Sequence, residues 1–167
     1  MNLKNNTKKS PLDYISLAIG TVGVGFMPLA PGTWGSAVGV LIFLIYSNFI
    51  GISNYSTMVW IIFIVAVCAI GIWASAQAER IFDEEDPQRV VVDEVAGQLI
   101  AYSSVAVLDW KHLLIGFILF RLFDIWKPYP INKLQDLHGG FGVMADDILA
   151  GIYAAMIIYS LTFFGVL

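Results

Sequence analysis

Charged residues are scarce in this 167-residue sequence, and its longest segments lack them altogether. Asp, Glu, Lys and Arg make up 13% of the chain, whereas 58% of it is hydrophobic. A soluble domain would carry roughly 25% charged residues. No charged residue occurs in 14–78 or in 148–167, and each segment reaches the length of about 20 residues that a helix needs to cross a membrane. The composition excludes an ordinary soluble domain and predicts an all-α polytopic membrane helical bundle.

Cysteine and basic residues are also few, which excludes further classes of protein. Cys68 is the only cysteine, so no internal disulfide can form. Because no thiol or histidine lies near it in sequence, we interpret it as a small buried hydrophobic residue rather than a reactive thiol. The basic residues form no stripe that would suit nucleic acid, so we expect no nucleic-acid partner.

The chain has room for one domain, and no linker, repeat or low-complexity tract divides it. Residues 1–13 are polar and include Lys4, Lys8 and Lys9, which predicts a cytoplasmic N-terminus. The apolar stretch that follows is too long for a secretory signal core, so we expect this N-terminus to be retained. Residues 14–167 are predicted to form a single membrane-embedded domain.

Polar or proline-containing connections divide the rest of the chain into five predicted membrane-inserted helices. They are residues 37–52, 57–78, 90–108, 113–123 and the segment from 148 onward. The first two should form a helical hairpin about a turn at 53–56. Residues 79–89 must face water, because their acids and Pro87 cannot enter hydrocarbon.

Residues 14–30 are apolar but contain glycines and Pro28, which weaken an isolated helix. A full crossing here would place the N-terminal lysines on the wrong side of the membrane. We therefore predict an interfacial or re-entrant segment that leads into a loop at 31–36.

Two pairs of adjacent carboxylates, Asp93-Glu94 and Asp146-Asp147, lie where apolar segments begin. A carboxylate beside hydrocarbon loses hydration, and like charges repel, so a bound cation would relieve both costs. Adjacent helical residues point about 100° apart, so we do not expect both members of a pair to reach one ion from the same face. One member should bind metal while the other holds a water, a second ion or a basic side chain.

The predicted topology brings Asp86 and Asp124 to the same cytoplasmic side as the two pairs. Carboxylates without thiols or paired histidines favour a hard ion, most simply Mg²⁺. The alternative is that these acids only stabilise helix N-termini. Asp124 argues against that alternative, because it falls at the end of its apolar segment, where the helix dipole disfavours a negative charge.

Cations fall on the same predicted side. Arg121 offers a fork for two phosphate oxygens and Lys127 a point charge, although snorkelling or a structural ion pair would also explain them. Glycine-rich segments at 31–36 and 139–144 are expected to be loops that present backbone N–H groups to an anion, each a weak signal alone. His138 is a secondary candidate for proton transfer.

These motifs, in this order, resemble the phosphatidylglycerophosphatase A family from about residue 25 to the C-terminus. The resemblance rests on four motifs: Pro31-Gly32-Thr33-Trp34-Gly35-Ser36, Asp93-Glu94 with Gly97, Phe120-Arg121 through Asp124 to Lys127-Pro128, and Gly139-Gly140 through Asp146-Asp147. The resemblance implies a Mg²⁺-dependent phosphomonoesterase at the inner face of the bacterial cytoplasmic membrane. Its reaction would convert phosphatidylglycerol phosphate to phosphatidylglycerol and inorganic phosphate.

On this resemblance, each candidate residue receives an expected role. The expected metal ligands are Asp93, Glu94, Asp146 and Asp147; Asp86 and Asp124 complete or orient the site; and Arg121 and Lys127, aided by Thr33 and Ser36, bind phosphate. The nucleophile is activated water or an aspartate. Water is favoured because the sequence lacks an Asp-x-Asp-x-Thr arrangement.

Two other functions fit parts of the pattern. CDP-alcohol phosphotransferases also use membrane-surface aspartates and Mg²⁺, but their Asp-Gly-x-x-Ala-Arg signature is absent here. A non-enzymatic transporter or channel should carry charges near mid-span rather than at helix ends.

Overall fold

The computed structural model of the protein describes residues 9–50, 54–105 and 109–167, which form helices and connections without a strand. Within these ranges there are seven α-helices and one turn of 3₁₀-helix at Tyr102–Ser104. The helices are α1 (Pro11–Thr21), α2 (Pro31–Phe49), α3 (Asn54–Phe82), α4 (Val92–Ala101), α5 (Trp110–Trp126), α6 (Ile131–Leu134) and α7 (Gly139–Phe163). The all-α prediction is confirmed.

Helix α7 lies at the centre of the bundle, where α3, α4, α5 and α6 pack against it. Glycines allow the closest of these contacts. A Cβ at Gly151 would lie 2.4 Å from the carbonyl oxygen of Gly97 in α4, and one at Gly140 would lie 2.0 Å from that of Ile72 in α3. Since real Cβ atoms do not approach so closely, these positions require glycine, and the N-terminal part of α7 is held tightly against its neighbours.

Helix α4 is short and almost entirely buried. Its ten residues extend about 15 Å, half of the roughly 30 Å hydrocarbon core. The prediction of one long helix over 90–108 was therefore wrong in its extent: α4 ends at Ala101, the chain tightens into the 3₁₀ turn, and residues 106–108 lie outside the described part.

Three of the described helices are long and apolar enough to cross a membrane: Pro31–Phe49, Thr57–Phe82 within α3, and Gly139–Phe163. Helix α5, with 17 residues, is about 25 Å long. It packs beside α7 and α4. The number of five membrane-inserted helices stays a prediction.

Several predicted boundaries were displaced. The segments 31–36 and 139–144 are not loops but the first turns of α2 and α7, since Pro31 at the first helical position of α2 suits a helix start. Helix α3 continues to Phe82, into the acidic segment that we expected to break it. The turn of the predicted α2–α3 hairpin includes residues 51–53, which lie outside the described ranges.

An aromatic cluster closes the end of the bundle remote from the start of α4. Phe43 of α2 stacks on Tyr102 with ring centroids 4.7 Å apart and meets Trp60 of α3 edge-on at 5.4 Å. The Tyr102 hydroxyl donates a hydrogen bond of 2.8 Å to the carbonyl oxygen of Leu113 in α5. These contacts tie four segments together far from the polar end.

The N-terminal segment forms α1, whose 11 residues are too few to cross a membrane. A capping box at Ser10 and Asp13 begins the helix, and Arg80 of α3 forms an ion pair with Asp13. Leu12 and Tyr14 expose their apolar side chains on the outside of the bundle. This arrangement suits the predicted interfacial segment.

Candidate active site

Three carboxylates converge where the N-terminus of α4 meets α7. Oxygen atoms of Asp93, Glu94 and Asp147 all lie within 4.8 Å of one another. Asp93 and Glu94 occupy the first turn of α4, where the free backbone N–H groups favour negative charge. Asp147 lies in α7 and is only 2% exposed. Two helices thus supply one cluster, but only α4 supplies its ligands from a helix end: Asp147 is the ninth residue of α7.

The expectation that Asp93 and Glu94 could not reach the same point was wrong. The longer Glu94 side chain has one more rotatable bond than that of Asp93, which lets its carboxylate turn towards the cluster. In the second pair, Asp147 joins the cluster while Asp146 binds the basic side chain of Lys127.

The cluster has the donors that a hard divalent cation requires. Asp93 Oδ1 and Glu94 Oε2 are buried and accept no hydrogen bond from the described residues. Buried oxygens of this kind are costly unless something pairs with them. Three neighbouring carboxylates without a thiol or imidazole match the preference of Mg²⁺.

Two ion pairs flank the cluster. Arg121 Nη1 donates to Asp124 Oδ2 at 2.5 Å, both near the C-terminus of α5. Lys127, which caps α5 in a left-handed conformation (φ 45°), donates to Asp146 Oδ2 at 2.5 Å. Burial alone would lower the pKa of Lys127, but its hydrogen bond to Asp146 and the nearby negative charges raise the pKa overall. Lys127 therefore stays protonated.

Asp86 lies in the connection between α3 and α4 and lines the same cavity as Lys127. Partial burial, together with the negative charge of Asp146, raises the pKa of Asp86 above its usual range. Asp86 adopts a positive φ of 44°, an uncommon conformation for a residue with a side chain.

All of these groups line one polar cavity of about 430 Å³. Its charged residues are Asp86, Asp93, Glu94, Arg121, Asp124, Lys127, Asp146 and Asp147. Six acids face two cations, so the cavity carries an excess of negative charge that a cation would offset. The sequence placed all eight on one side of the membrane, and the structure brings them to one cavity.

Thr33 and Ser36, the predicted aids to phosphate binding, do not line this cavity. Thr33 is exposed, and the buried Ser36 hydroxyl donates to the carbonyl oxygen of Gly32 at 2.9 Å. In their place the cavity is lined by Ala30, Pro31 and Gly32. Because residues 31–36 form the start of a helix and not the predicted loop, the hydroxyls of Thr33 and Ser36 do not reach the cavity.

Gly32 was missed as a functional position, although the Pro-Gly pair at a helix start was a visible signal. A Cβ at Gly32 would lie 2.0 Å from Glu94 Oε1 and 3.0 Å from Arg121 Nη1. Glycine leaves both side chains where they are, whereas any larger residue would force the end of the Glu94 side chain to move. Gln88, on the connection before α4, also lines the cavity and was not singled out in the sequence.

His138 lies outside the carboxylate cavity. It precedes α7 as its N-terminal cap and lines a neighbouring cavity with Glu79, Glu85 and Asp136. The two cavities share Asp86, Val143 and Asp146 as a common wall.

Comparison with known proteins agrees with this arrangement of motifs. Residues 18–162 match the family model described as Phosphatidylglycerophosphatase A. The chain is 33% identical to Phosphatidylglycerophosphatase A of Haemophilus influenzae over 94% of this chain and 98% of the relative. It is 35% identical to the Escherichia coli protein of the same name, over 86% of this chain and 80% of the relative.

A differently named relative is comparably similar. The Bacteroides thetaiotaomicron protein named "Putative phosphatidylinositol-3-phosphatase" is 37% identical over 87% of this chain and 92% of the relative. No solved structure matches the chain significantly. The family match covers most of the chain, including all the residues of the cavity. The chain belongs to the phosphatidylglycerophosphatase A family, a family of phosphoric monoester hydrolases.

Proposed function

We propose that this protein hydrolyses phosphatidylglycerol phosphate to phosphatidylglycerol and inorganic phosphate, with Mg²⁺ as its cofactor, in phospholipid biosynthesis. The observation that carries the proposal is the cluster of Asp93, Glu94 and Asp147, held beside two cations in a cavity of an apolar helical bundle. A cation bound there offsets charge on a phosphate, while apolar helices keep the lipid tails in the bilayer. Family membership supports the same reaction.

In the proposed site, Asp93, Glu94 and Asp147 hold the cation. When bound, Mg²⁺ supplies positive charge to phosphate oxygens and lowers the pKa of water. Asp146, the fourth predicted ligand, is held by Lys127 at 2.5 Å. It would therefore act beside the cluster, by keeping Lys127 in place.

The phosphate-binding roles of Arg121 and Lys127 follow from their position. Both line the cavity, and each is already held by one carboxylate, so their charges are placed before substrate arrives. Preorganised donors of this kind stabilise charge that develops on a transferring phosphoryl group. Arg121 Nε is buried and has no partner among the described residues, so the guanidinium keeps donor capacity.

Asp86 is the best-placed group for the proton that the leaving glycerol oxygen requires. It lines the cavity and has the raised pKa described above, both of which suit a general acid. Asp124 orients Arg121 through their ion pair. With no Asp-x-Asp-x-Thr arrangement in the sequence, we assign the nucleophile to water.

We place the protein in the bacterial cytoplasmic membrane with the cavity facing the cytoplasm. The three candidate spans support a membrane location. The lysines of the N-terminus support the orientation, because positively charged segments are retained inside. Asp13, which follows them, is paired with Arg80 at the cavity end of α3.

The relative named for phosphatidylinositol 3-phosphate provides a second candidate substrate. It is a membrane lipid whose head group also carries a phosphomonoester, so the same cavity could serve either lipid. The reaction class is unchanged, and only the alcohol that leaves differs.

Phosphate release by the purified full-length protein in mixed micelles tests the proposal. Phosphatidylglycerol phosphate should release inorganic phosphate with Mg²⁺ and lose nearly all activity with excess EDTA, and Mg²⁺ should restore it. Release only from phosphatidylinositol 3-phosphate would select the second substrate. No release from either lipid by a folded sample would refute the proposal and favour a phosphotransferase or a transporter.

A further inference from the structure

Arg89 is a cation that the proposed chemistry does not use, and it lies beside the active-site cavity. It precedes α4 and lines a separate cavity of about 310 Å³. Pro31 and Gln88 line both this cavity and the carboxylate cavity. The two cavities therefore adjoin at Pro31 and Gln88, which places Arg89 next to a ligand in the carboxylate cavity.

The Arg89 guanidinium has no carboxylate partner in the described part of the chain, which includes every acid in the sequence. Arg80, Arg121 and Lys127 are all ion-paired. Glu84 lines the same cavity but lies beyond ion-pair distance of Arg89, so it does not neutralise the guanidinium. The charge of Arg89 is available to an external anion.

The backbone around Arg89 is fixed. Val91 donates a hydrogen bond of 2.8 Å to the carbonyl oxygen of Gly20 in α1. A Cβ at Gly25 would lie 1.9 Å from the Arg89 carbonyl oxygen, so the α1–α2 connection packs directly on it. The guanidinium lies over the Phe82 ring, 5.0 Å from its centroid. Arg89 is held in place more firmly than an ordinary surface arginine.

Exposed apolar side chains also line this cavity. Phe26 and Met27 line it and are exposed, and Leu29 nearby is 91% exposed. Large exposed apolar groups beside a membrane-embedded bundle suit contact with lipid. The site for a phosphomonoester thus adjoins a second cavity that offers one unpaired cation and exposed apolar side chains.

This combination of a monoester site, a neighbouring cation and apolar side chains matches the chemistry of one class of lipid. In phosphatidylglycerol phosphate, and also in phosphatidylinositol 3-phosphate, a phosphodiester lies between the terminal phosphomonoester and the acyl chains. Resting on the proposed function, we infer that Arg89, together with Gln88, binds this phosphodiester and so selects lipids that carry two phosphates. A lipid with a monoester alone, such as phosphatidic acid, gains nothing from Arg89.

Kinetics of Arg89→Gln with the full-length protein test this inference. Loss of one exposed charge-assisted contact should raise the KM for phosphatidylglycerol phosphate about tenfold and leave kcat within about twofold, because Arg89 does not touch the reacting phosphate. Arg89→Lys, which keeps the charge, should recover most of the affinity. Arg89→Met keeps an apolar stem over Phe82 and serves as the second neutral variant.

Phosphatidic acid, used as substrate or as competitive inhibitor, provides the discriminating readout. Its KM or Ki should be the same in Arg89→Gln and in wild type. Lys133→Gln is the matched control, since Lys133 has no ion pair among the described residues and lines none of the described cavities. It should leave both lipids unaffected.

Equal weakening for both lipids, or an unchanged KM for phosphatidylglycerol phosphate, would overturn the inference. If wild type hydrolyses only phosphatidylinositol 3-phosphate, the first substrate assignment fails and the same comparison with that lipid still decides the role of Arg89. If wild type hydrolyses neither lipid, the proposed function and this inference both fail.

Discussion

The two ends of α4 are built on opposite principles. At its N-terminus, Asp93 and Glu94 are packed against Asp147, and they have buried oxygens without a hydrogen-bond partner among the described residues. At its C-terminus, Leu99 and Tyr102 are buried among aromatic and aliphatic side chains. The N-terminal end brings like charges together, which is unfavourable, whereas the C-terminal end is stabilised by apolar packing. The proposed chemistry and the stability of the fold therefore depend on opposite ends of a ten-residue helix. Substitutions at the two ends should have different consequences.

The largest effect on activity is expected at the carboxylate end. Asp147→Asn removes one charge from the cluster while keeping the shape of the side chain. Phosphate release should fall at least about a hundredfold, because a metal site that loses a ligand loses its main source of charge stabilisation. Thermal stability in detergent should stay the same or rise, since like-charge repulsion is relieved.

Asp109→Asn is the control for Asp147→Asn, because Asp109 lies just before α5, far from the cavity. It should change neither activity nor stability. Near-normal phosphate release by Asp147→Asn, with Mg²⁺ present, would show that the cluster is not the reactive centre.

A smaller effect is expected from Gly32→Ala, which adds a methyl group next to the cluster. The added Cβ would lie 2.0 Å from Glu94 Oε1, so the Glu94 carboxylate must turn away. Activity should fall about tenfold while the melting temperature changes little, because the end of a flexible side chain can move and alanine favours a helix.

Gly20→Ala is the matched control, since the nearest atom to its Cβ would be the Ala74 carbonyl oxygen at 3.8 Å. It should retain full activity. Equal activity of the two variants would contradict the close approach of α2 to Glu94.

The smallest effect belongs to the packed end. Tyr102→Phe removes the hydrogen bond to the Leu113 carbonyl oxygen, 2.8 Å long, and should lower the free energy of unfolding by about 1 kcal/mol. The melting temperature in detergent measures this loss. The KM and kcat of the folded enzyme should be unchanged, and a shift in either would show that the two ends are coupled.

The sequence was sufficient for the helical class and for the grouping of the six acids, which line one cavity, because both follow from where charge is absent. It could not give the length of α4. Residues 90–108 contain no Pro and only Gly97 as a helix-weakening residue, so hydropathy alone describes one long crossing, whereas the chain turns at Tyr102 to pack on Phe43.

Local helix geometry also could not predict which carboxylates join the cluster. The angle between adjacent helical residues is the same for both pairs, yet Glu94 joins its neighbour and Asp146 leaves its own. Lys127 decides the second case, and its left-handed conformation at the end of α5 depends on tertiary packing. Glycine is usually a turn signal, so the segments 31–36 and 139–144 predict loops, whereas Gly140 in fact allows a close contact between two helices.

If Asp93, Glu94 and Asp147 hold a divalent cation, the binding of a cation to the protein measures this directly, without substrate. Mn²⁺ prefers the same oxygen ligands as Mg²⁺, and its binding to the full-length protein can be followed by electron paramagnetic resonance. Wild type and Asp109→Asn should bind Mn²⁺ equally, with Mg²⁺ competing, while Asp147→Asn should bind at least about tenfold more weakly. Equal binding by all three proteins would contradict the account.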